Sequence, residues 1–383
     1  MIRIEILHFH ITFIFLMGIK FYKYLESHGL IRFYKPNQNG HTNLFIDGTN
    51  IFHIFKDSEK SSFTEVTNLI RILLPQKLIY ISMDGKCPIP KIQNQESRGE
   101  RHIPDREELT EQELIQKENW NQETFIEFGQ DINREIIYNG RNIEGEGEHK
   151  IVRFIKEQKS RQEWVKNQKH YILSNDFDII FLLIPIIDED FSIIRVHRNN
   201  VNQKIQYSII NLKEVRDHFL SKIPTQCFSK FNFDLQKVTI DFVVLSFFLG
   251  NDYIQCFKEI SDCPNAYDVI LESYACLNST GSRYIYLMYN GTFDKQRLQR
   301  FIVSLASKIE NNKRHKSYRS SRNGNSNKKQ KPLDNQVKEA KDLMIALNWN
   351  YSYYLYGIQS LNYQMAEHKY NNLSEFGQLI EYC

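Results

Sequence analysis

Residues 170–178 read HYILSNDFD, and this stretch decides the fold. A run of apolar, strand-forming residues ends directly before a pair of aspartates. The same pattern occurs twice earlier, in residues 43–47 (NLFID) and 78–84 (LIYISMD). Helical patterns separate these runs, so the sequence predicts an α/β fold with a mostly parallel, twisted sheet flanked by helices. Functional groups gather at the carboxyl ends of parallel strands, where all these aspartates are expected.

Helices and further strands are predicted around these three runs. The sequence indicates helices over residues 20–28, 63–75 (ended by Pro75), 100–135 and 148–159, strands over residues 191–196 and 205–210, and a mainly helical part from residue 212 onward. The fold class is therefore an α/β sheet domain with a helical C-terminal part.

A glycine-separated acidic motif, EGEGEHKI, occupies residues 144–151. Its glutamates stand at the start of a predicted helix, where a helix N-terminus favours anions. Three alternating glutamates exceed what capping needs, and glycines allow the backbone to approach other groups closely. We therefore expect Glu146 and Glu148 to point toward one ion, with Gly145 and Gly147 clearing the space.

The pair Asp176 and Asp178 also indicates a cation. In an extended chain the D-x-D spacing places both carboxylates on the same side, and two close like charges repel unless a cation holds them. Asp252 follows Gly250, a predicted C-cap of an apolar helix over residues 242–249. The helix dipole disfavours an aspartate there, which indicates another reason for it.

The donor atoms of this acidic set are hard oxygens, which favour Mg²⁺ or Mn²⁺ over zinc. Two such ions about 4 Å apart can activate water and stabilise the leaving oxygen in phosphodiester hydrolysis. The six cysteines form no CxxC pair and no zinc spacing with histidine, and their spread suits reduced thiols inside a cell.

The 383-residue chain is 41% hydrophobic and 25% charged, typical values for a soluble globular protein. The net charge of +3 does not identify a nucleic-acid binder. Residues 1–16 are apolar but contain Glu5 and no small-residue cleavage site, so we expect an upstream extension rather than a signal peptide, with the domain starting at Met17. No stretch is long enough to cross a membrane.

Residues 311–335 carry eight Lys or Arg and almost no apolar residue, which predicts a disordered basic linker. It is interpreted as a solvated loop, an RNA-phosphate contact or a nuclear localisation signal. Localisation is expected to be intracellular, with the linker slightly favouring the nucleus over the cytoplasm. The predicted organisation is an N-terminal extension (1–16), an α/β core (17–260), a helical region (261–310), the linker (311–335) and a helical C-terminal segment (336–383).

Five sequence blocks, in the same order, resemble the Xrn-type 5′→3′ exoribonucleases. EGEGEHKIVRFI resembles P-G-E-G-E-H-K-I, LSNDFDIIFL resembles L-D-A-D-L-I-M-L, and DFVVLSFFLGNDYI resembles D-D-F-x-x-L-x-F-x-x-G-N-D-F-L. LFIDGTNIFH and MGIKFYKYL are similar to two further blocks, so the resemblance runs from Met17 to about Tyr363. It implies a FEN/PIN-like nuclease core whose two metal ions are held by seven acidic positions: Asp47, Asp84, Glu146, Glu148, Asp176, Asp178 and Asp252.

The resemblance also implies a substrate, single-stranded RNA with a 5′-monophosphate, which is hydrolysed processively to mononucleotides. Lys91, Gln95 and Arg98 match the family residues that bind the 5′-phosphate, although Gly99 and Glu96 replace two of its arginines. A dianion needs several cationic donors, which agrees with these residue types. Lys150, beside the acidic cluster, is a further substrate-binding candidate that could offset carboxylate repulsion.

End stacking departs from the family. His53 matches a histidine that stacks on the terminal base, but Leu361 replaces the stacking tryptophan, with Tyr363 near a second one. Stacking contributes roughly 1–3 kcal/mol per base, so weaker grip and lower processivity are expected. Two alternatives stay open: a homologue that binds RNA or a partner protein with weak or no catalysis, and a structure-specific 5′ DNA nuclease. Protein partners are not indicated.

Overall fold

The computed structural model describes residues 16–36, 42–54, 59–91, 111–161, 168–186, 190–198, 204–317, 333–358 and 372–383. Two compact units form. We call Leu25–Arg216 with Tyr354–Tyr363 the sheet unit, and Met1–Tyr24, Asp217–Tyr353 and Gln364–Cys383 the helical unit.

The central feature of the sheet unit is, within the described ranges, a seven-stranded sheet in the order β1-β7-β6-β5-β2-β3-β4. The pairs of neighbouring strands from β6 to β4 are parallel, while β7 is antiparallel to both β6 and β1. Its strands are β1 (Arg32–Tyr34), β2 (Asn43–Asp47), β3 (Leu78–Ser82), β4 (Glu135–Asn139), β5 (Lys169–Leu173), β6 (Asp190–Arg198) and β7 (Ile205–Asn211).

Helices follow or precede most strands, as the sequence predicts. They are α1 (Leu16–Ser27), α2 (Gly48–Ile54), α3 (Glu59–Leu73), α4 (Glu111–Asp131), α5 (Gly147–Ser160), α6 (Asp178–Leu183) and α7 (Leu212–Ser221). Helix α5 packs against β2 and β3, and α4 packs against β4. The predicted fold class, a mostly parallel sheet flanked by helices, is confirmed.

Two strands of the seven-stranded sheet were not predicted from the sequence, both for physical reasons. Strand β1 has three residues, too few for a periodic pattern. Strand β4 begins at residue 135, the last residue of the stretch predicted as one surface helix over residues 100–135, and it lies at the edge of the sheet. Its side chains are only partly buried, so it lacks the continuous apolar run of the central strands.

The sheet unit has an apolar core between sheet and helices. Buried side chains from the central strands, such as Leu44, Ile79 and Leu173, meet Leu69 of α3 and Phe125 of α4. Burying an aliphatic side chain of this size contributes roughly 1.5–3 kcal/mol. This packing fixes the strands that carry the acidic residues.

The helical unit consists mainly of α-helices, as predicted from residue 212 onward. They are α8 (Leu235–Ser246), α9 (Lys258–Ser261), α10 (Ala266–Ser279), α11 (Lys295–Ser317), α12 (Leu333–Tyr356) and α13 (Leu373–Leu379), with a short hairpin of β8 (Met288–Tyr289) and β9 (Thr292–Phe293). Helix α11 extends into the predicted basic linker as far as Ser317. The rest of the linker up to residue 332, and the extension over residues 1–15, lie outside the described residues.

Aromatic packing and one buried carboxyl order the helical unit. Phe219 contacts Phe242 at 5.2 Å between ring centroids. Asp241 accepts hydrogen bonds from the Tyr274 hydroxyl at 2.5 Å and from the Leu287 amide at 3.0 Å. Burial raises the pKa of Asp241 to about 7 despite these donors. Among the described helices, none is long and apolar enough to span a bilayer.

Candidate metal centre

The strand order brings four acidic segments to one edge of the sheet. Strand β2 lies between β5 on one side and β3 on the other, so the strand sequence reverses direction at β2. Ligands of open parallel sheets bind outside the carboxyl ends of the strands at such a switch point. The candidate ligands are Asp47 at the last position of β2, and, in the segments after β3, β4 and β5, Asp84, Glu146 with Glu148, and Asp176 with Asp178.

Asp47, Asp84 and Glu148 form the tightest part of this cluster. One carboxylate oxygen from each lies within 4.8 Å of the others. Asp47 and Glu148 are buried, and Asp84 is half-buried. Buried charges need a partner or a metal, and oxygen donors from several carboxylates match the preference of Mg²⁺ and Mn²⁺. The donor set therefore fits a hard divalent cation.

Burial and mutual repulsion raise the pKa values of this triad. For Asp47, burial raises the pKa well above its usual value and the Asp84 charge raises it further. For Glu148 and Asp84, burial is again the main cause of the higher pKa, and the charge of Glu146 adds to it. A bound cation would lower these pKa values again, because it favours the ionised carboxylates.

Metal binding at this cluster is expected to release protons. Carboxyls with raised pKa values keep their protons to higher pH than usual, and a divalent cation displaces these protons, so Mn²⁺ affinity should rise with pH. Calorimetric titration of Mn²⁺ at about pH 6 in two buffers of different ionisation enthalpy measures this release. The Glu148→Gln variant should release fewer protons. A binding heat that is independent of the buffer would contradict the expectation.

The linkage to stability has the opposite sign. A carboxyl whose folded-state pKa exceeds its unfolded-state pKa binds more protons in the folded state. The free energy of unfolding therefore falls as pH rises from the unfolded-state pKa through the folded-state pKa. The raised pKa values of Asp47, Asp84 and Glu148 all act in this direction. Ionisation of this cluster therefore destabilises the fold when no cation is bound.

The glycines of the EGEGE motif have different roles. A Cβ atom on Gly147 would lie 2.7 Å from Asp47 Oδ1, so Gly147 clears the space as predicted. Its amide also donates a 2.7 Å hydrogen bond to Asp84 Oδ1. Gly145 differs from the prediction: a Cβ there would meet nothing closer than 3.7 Å, and its φ of +111° supplies the reason for glycine.

Hydrogen bonds connect Asp47 to the segment after β5. Ser174 Oγ donates to Asp47 Oδ2 at 2.9 Å and accepts from the Asp176 amide at 3.1 Å. Asp176 Oδ1 accepts from the Asp178 amide at 2.9 Å. The charge of Asp176 raises the pKa of both Asp47 and Glu148, so the Asp176 carboxylate lies near the triad.

Glu146 forms an ion pair with Lys91. The Lys91 ammonium lies 2.6 Å from Glu146 Oε2, and both side chains are largely buried. Glu146 is the N-cap residue of α5, yet its side chain makes no capping hydrogen bond. The glutamate is therefore turned away from the capping role that its position would allow. The Lys91 charge offsets part of the rise in the pKa values of Asp84 and Glu148.

Lys150 supports the backbone beneath the cluster. Its buried ammonium donates two 2.7 Å hydrogen bonds, to the Met83 carbonyl after β3 and to the Gly140 carbonyl after β4. It thereby joins the two segments that carry Asp84 and the EGEGE motif. Its charge also lowers the pKa of Asp84. Participation of Lys150 in substrate binding stays a prediction.

Replacing Lys150 with methionine is expected to reduce the free energy of unfolding by about 3 kcal/mol. Methionine keeps the apolar stem but leaves two buried carbonyls without their charged donor. Urea unfolding of the metal-free protein measures the change. Lys213→Met, on the exposed face of α7, is the matched control. Equal unfolding free energies for Lys150→Met and the natural protein would show that the two hydrogen bonds contribute nothing.

Of the remaining predicted site residues, one belongs to the helical unit and the others lie outside the described residues. Asp252 belongs to the helical unit, where it follows the 3-10 helix Phe247–Leu249 and Gly250 in the turn that Asn251 stabilises. Its part in the metal centre stays a prediction. Gln95 and Arg98, the side chain of His53, and the stacking positions Leu361 and Tyr363 lie outside the described residues.

The sequence of this chain matches two models of one protein family. Residues 17–133 and 127–197 match the family model described as XRN 5'-3' exonuclease N-terminus, and residues 232–374 match the Xrn1 helical domain. The chain is 24% identical over 338 residues to 5'-3' exoribonuclease 1 of Schizosaccharomyces pombe, a match covering 75% of this chain and 25% of that protein. It is 22% identical over 319 residues to 5'-3' exoribonuclease 1 of Homo sapiens, covering 69% of this chain and 18% of that protein.

A third relative is 5'-3' exoribonuclease 2 of Debaryomyces hansenii, 24% identical over 364 residues and matched over 36% of its length. The match thus spans about a fifth to a third of these relatives. Among solved structures, the catalytic core of Rad2 with a DNA substrate is similar at a TM-score of 0.42 and 12% identity, over 94% of this chain and 91% of that one. The two family models cover most of the chain, which therefore belongs to the XRN 5′-3′ exonuclease family.

Proposed function

We propose that this protein is a 5′→3′ exoribonuclease that hydrolyses 5′-monophosphorylated RNA to mononucleotides in RNA decay or processing. The observation that carries the proposal is the triad of Asp47, Asp84 and Glu148 at the sheet edge. The relatives of this chain that bear the name 5'-3' exoribonuclease support the same reaction.

Two Mg²⁺ ions, or Mn²⁺ in their place, are the proposed cofactors. Their proposed ligands are Asp47, Asp84, Glu146, Glu148, Asp176, Asp178 and Asp252. When bound, such ions act as Lewis acids toward phosphodiester oxygens and lower the pKa of bound water. The protein's own contribution is to keep the carboxylates aligned, through the Gly147 amide and the Ser174 hydroxyl.

Lys91 is the proposed cation for the 5′-phosphate, together with Gln95 and Arg98. Its ion pair with Glu146 joins the proposed phosphate site to the proposed metal site through one ammonium group. A 5′-phosphate dianion would compete with Glu146 for that ammonium. The substrate and this proposed metal ligand would then share the positive charge of Lys91. His53 is the proposed stacking partner of the terminal base, and Lys150 a supporting cation.

The deciding experiment incubates purified protein with 5′-monophosphate, 5′-hydroxyl and capped RNA of one sequence, each with and without Mg²⁺. We expect mononucleotides only from the 5′-monophosphate RNA, and only when Mg²⁺ is present. Intermediates of graded length are expected as well, because Leu361 replaces the stacking tryptophan. RNA binding without Mg²⁺-dependent turnover would support the non-catalytic alternative, and faster cleavage of flap DNA would support the DNA nuclease.

A further inference from the structure

A tyrosine from the C-terminal part of the chain contacts one of the proposed metal ligands. The Tyr354 hydroxyl donates a 2.7 Å hydrogen bond to Asp178 Oδ2. Tyr354 stands in the last turn of α12 and is 2% exposed. Most of α12 belongs to the helical unit, but Tyr354 belongs to the sheet unit with Asp178. The contact joins residues 176 positions apart in sequence.

Helix α5 holds this last turn of α12 in place. The Lys156 ammonium donates to the carbonyl of Leu355, a favourable place for a cation at a helix C-terminus. The His149 ring meets the Tyr354 ring edge to face, at 6.2 Å between centroids and 85° between planes. Both side chains come from the helix that carries Glu148. One helix thus supplies a proposed metal ligand and fixes the tyrosine that contacts another.

The tyrosine ends a chain of hydrogen bonds that begins at Asp47. That chain runs through Ser174 and Asp176 to the amide of Asp178, and the Tyr354 hydroxyl then engages the Asp178 side chain. A carboxylate with one oxygen held by a fixed donor cannot rotate freely about its Cβ–Cγ bond. Partners of this kind orient metal ligands, and their loss typically costs 10–100-fold in metal affinity or activity.

We propose that Tyr354 is a positioning residue of the metal centre: its hydroxyl fixes the orientation of the Asp178 carboxylate toward a divalent cation. The proposal rests on the proposed function of the acidic cluster. The last turn of α12 follows the basic linker in sequence. In this proposal it is one of the elements that orient the proposed metal ligands. Tyr354 itself contacts neither metal nor RNA in this role.

The test measures Mn²⁺ binding to the full chain by calorimetry. Tyr354→Phe removes only the hydroxyl and is expected to weaken Mn²⁺ binding by about tenfold. Tyr356→Phe is the matched control, since the same change is made two residues later at an exposed position, and it should leave the affinity unchanged. In an Asp178→Ala background, Tyr354→Phe should cause no further loss, because the residue that it positions is gone.

RNA hydrolysis gives an independent readout. The Mn²⁺ concentration that gives half-maximal activity should rise in Tyr354→Phe, while kcat at saturating Mn²⁺ returns to the natural value. An unchanged Mn²⁺ affinity would overturn the proposal, even with a lower Tm, because that pattern marks a purely structural tyrosine. Equal losses with and without Asp178, or an Asp178→Ala variant with natural affinity, would overturn it as well. If the natural protein binds Mn²⁺ but hydrolyses no RNA, the proposed function fails while the binding comparison still decides the role of Tyr354.

Discussion

The double variant Asp176→Ala, Asp178→Ala is expected to lose Mg²⁺-dependent RNA hydrolysis by about 10³-fold or more, while its fold stays intact. Removing a single preorganised electrostatic group from an active site commonly costs 10²–10³-fold, and this change removes two proposed metal ligands. Both aspartates stand just after β5, beyond its hydrogen-bonded register with β2 and β6. The sheet therefore does not depend on their side chains.

The double variant is compared with Glu127→Ala, Asp131→Ala, a change of equal charge at exposed positions near the end of α4. Release of mononucleotides from 5′-monophosphate RNA gives the rate, and circular dichroism and Tm report the fold. The control should keep its activity. Full activity in the Asp176, Asp178 variant would refute the proposed mechanism, because no oxygen ligand would then be needed after β5.

Gly147→Ala is expected to lower RNA hydrolysis by about 10²-fold. The new methyl group would lie 2.7 Å from Asp47 Oδ1 and 3.3 Å from the Ser82 carbonyl, so the Asp47 carboxylate or the start of α5 must shift. A misplacement of about 1 Å in a catalytic arrangement can cost this much. The same shift would disturb the hydrogen bond from the Gly147 amide to Asp84.

The stability change in Gly147→Ala should be much smaller than the loss of activity. Alanine is favoured over glycine in helices by about 1 kcal/mol, which opposes the steric cost. Ser160→Ala, at the exposed far end of the same helix, should keep both Mn²⁺ affinity and turnover. Natural Mn²⁺ affinity in Gly147→Ala would show that the space beside Asp47 is not required for the cation.

The central strands and their aspartates could be predicted from sequence because each fact is local. An apolar run followed by Asp47, Asp84 or Asp176 marks a buried parallel strand and its carboxyl end, and the structure places Asp47 and Asp84 together with Glu148. The EGEGE motif was informative in part: alternation of small and acidic residues predicted the space that Gly147 clears, but it gave the wrong reason for Gly145.

The contacts that align these carboxylates could not be predicted, because they join distant positions. Nothing near Lys150 in sequence indicates that its ammonium reaches the Met83 carbonyl 67 residues away. The contact between Tyr354 and Asp178 depends on where α12 ends in space. The pairing of Lys91 with Glu146 likewise follows only from the folded loop after β3. Local sequence pattern thus predicted the proposed ligands, whereas tertiary packing determines the contacts that support them.

The order of strands in the sheet has a consequence for biosynthesis. Strand β2 is translated early, yet its neighbour β5 is translated more than a hundred residues later, and the hydrogen bond from Ser174 to Asp47 spans 127 positions. Parallel pairings between such distant segments form slowly and late in folding. A nascent chain on the ribosome therefore carries Asp47 and Asp84 without Asp176 and Asp178 while residues 85–175 are added. Until β5 has paired with β2, a growing chain beside its own messenger RNA therefore lacks the aligned set of proposed metal ligands.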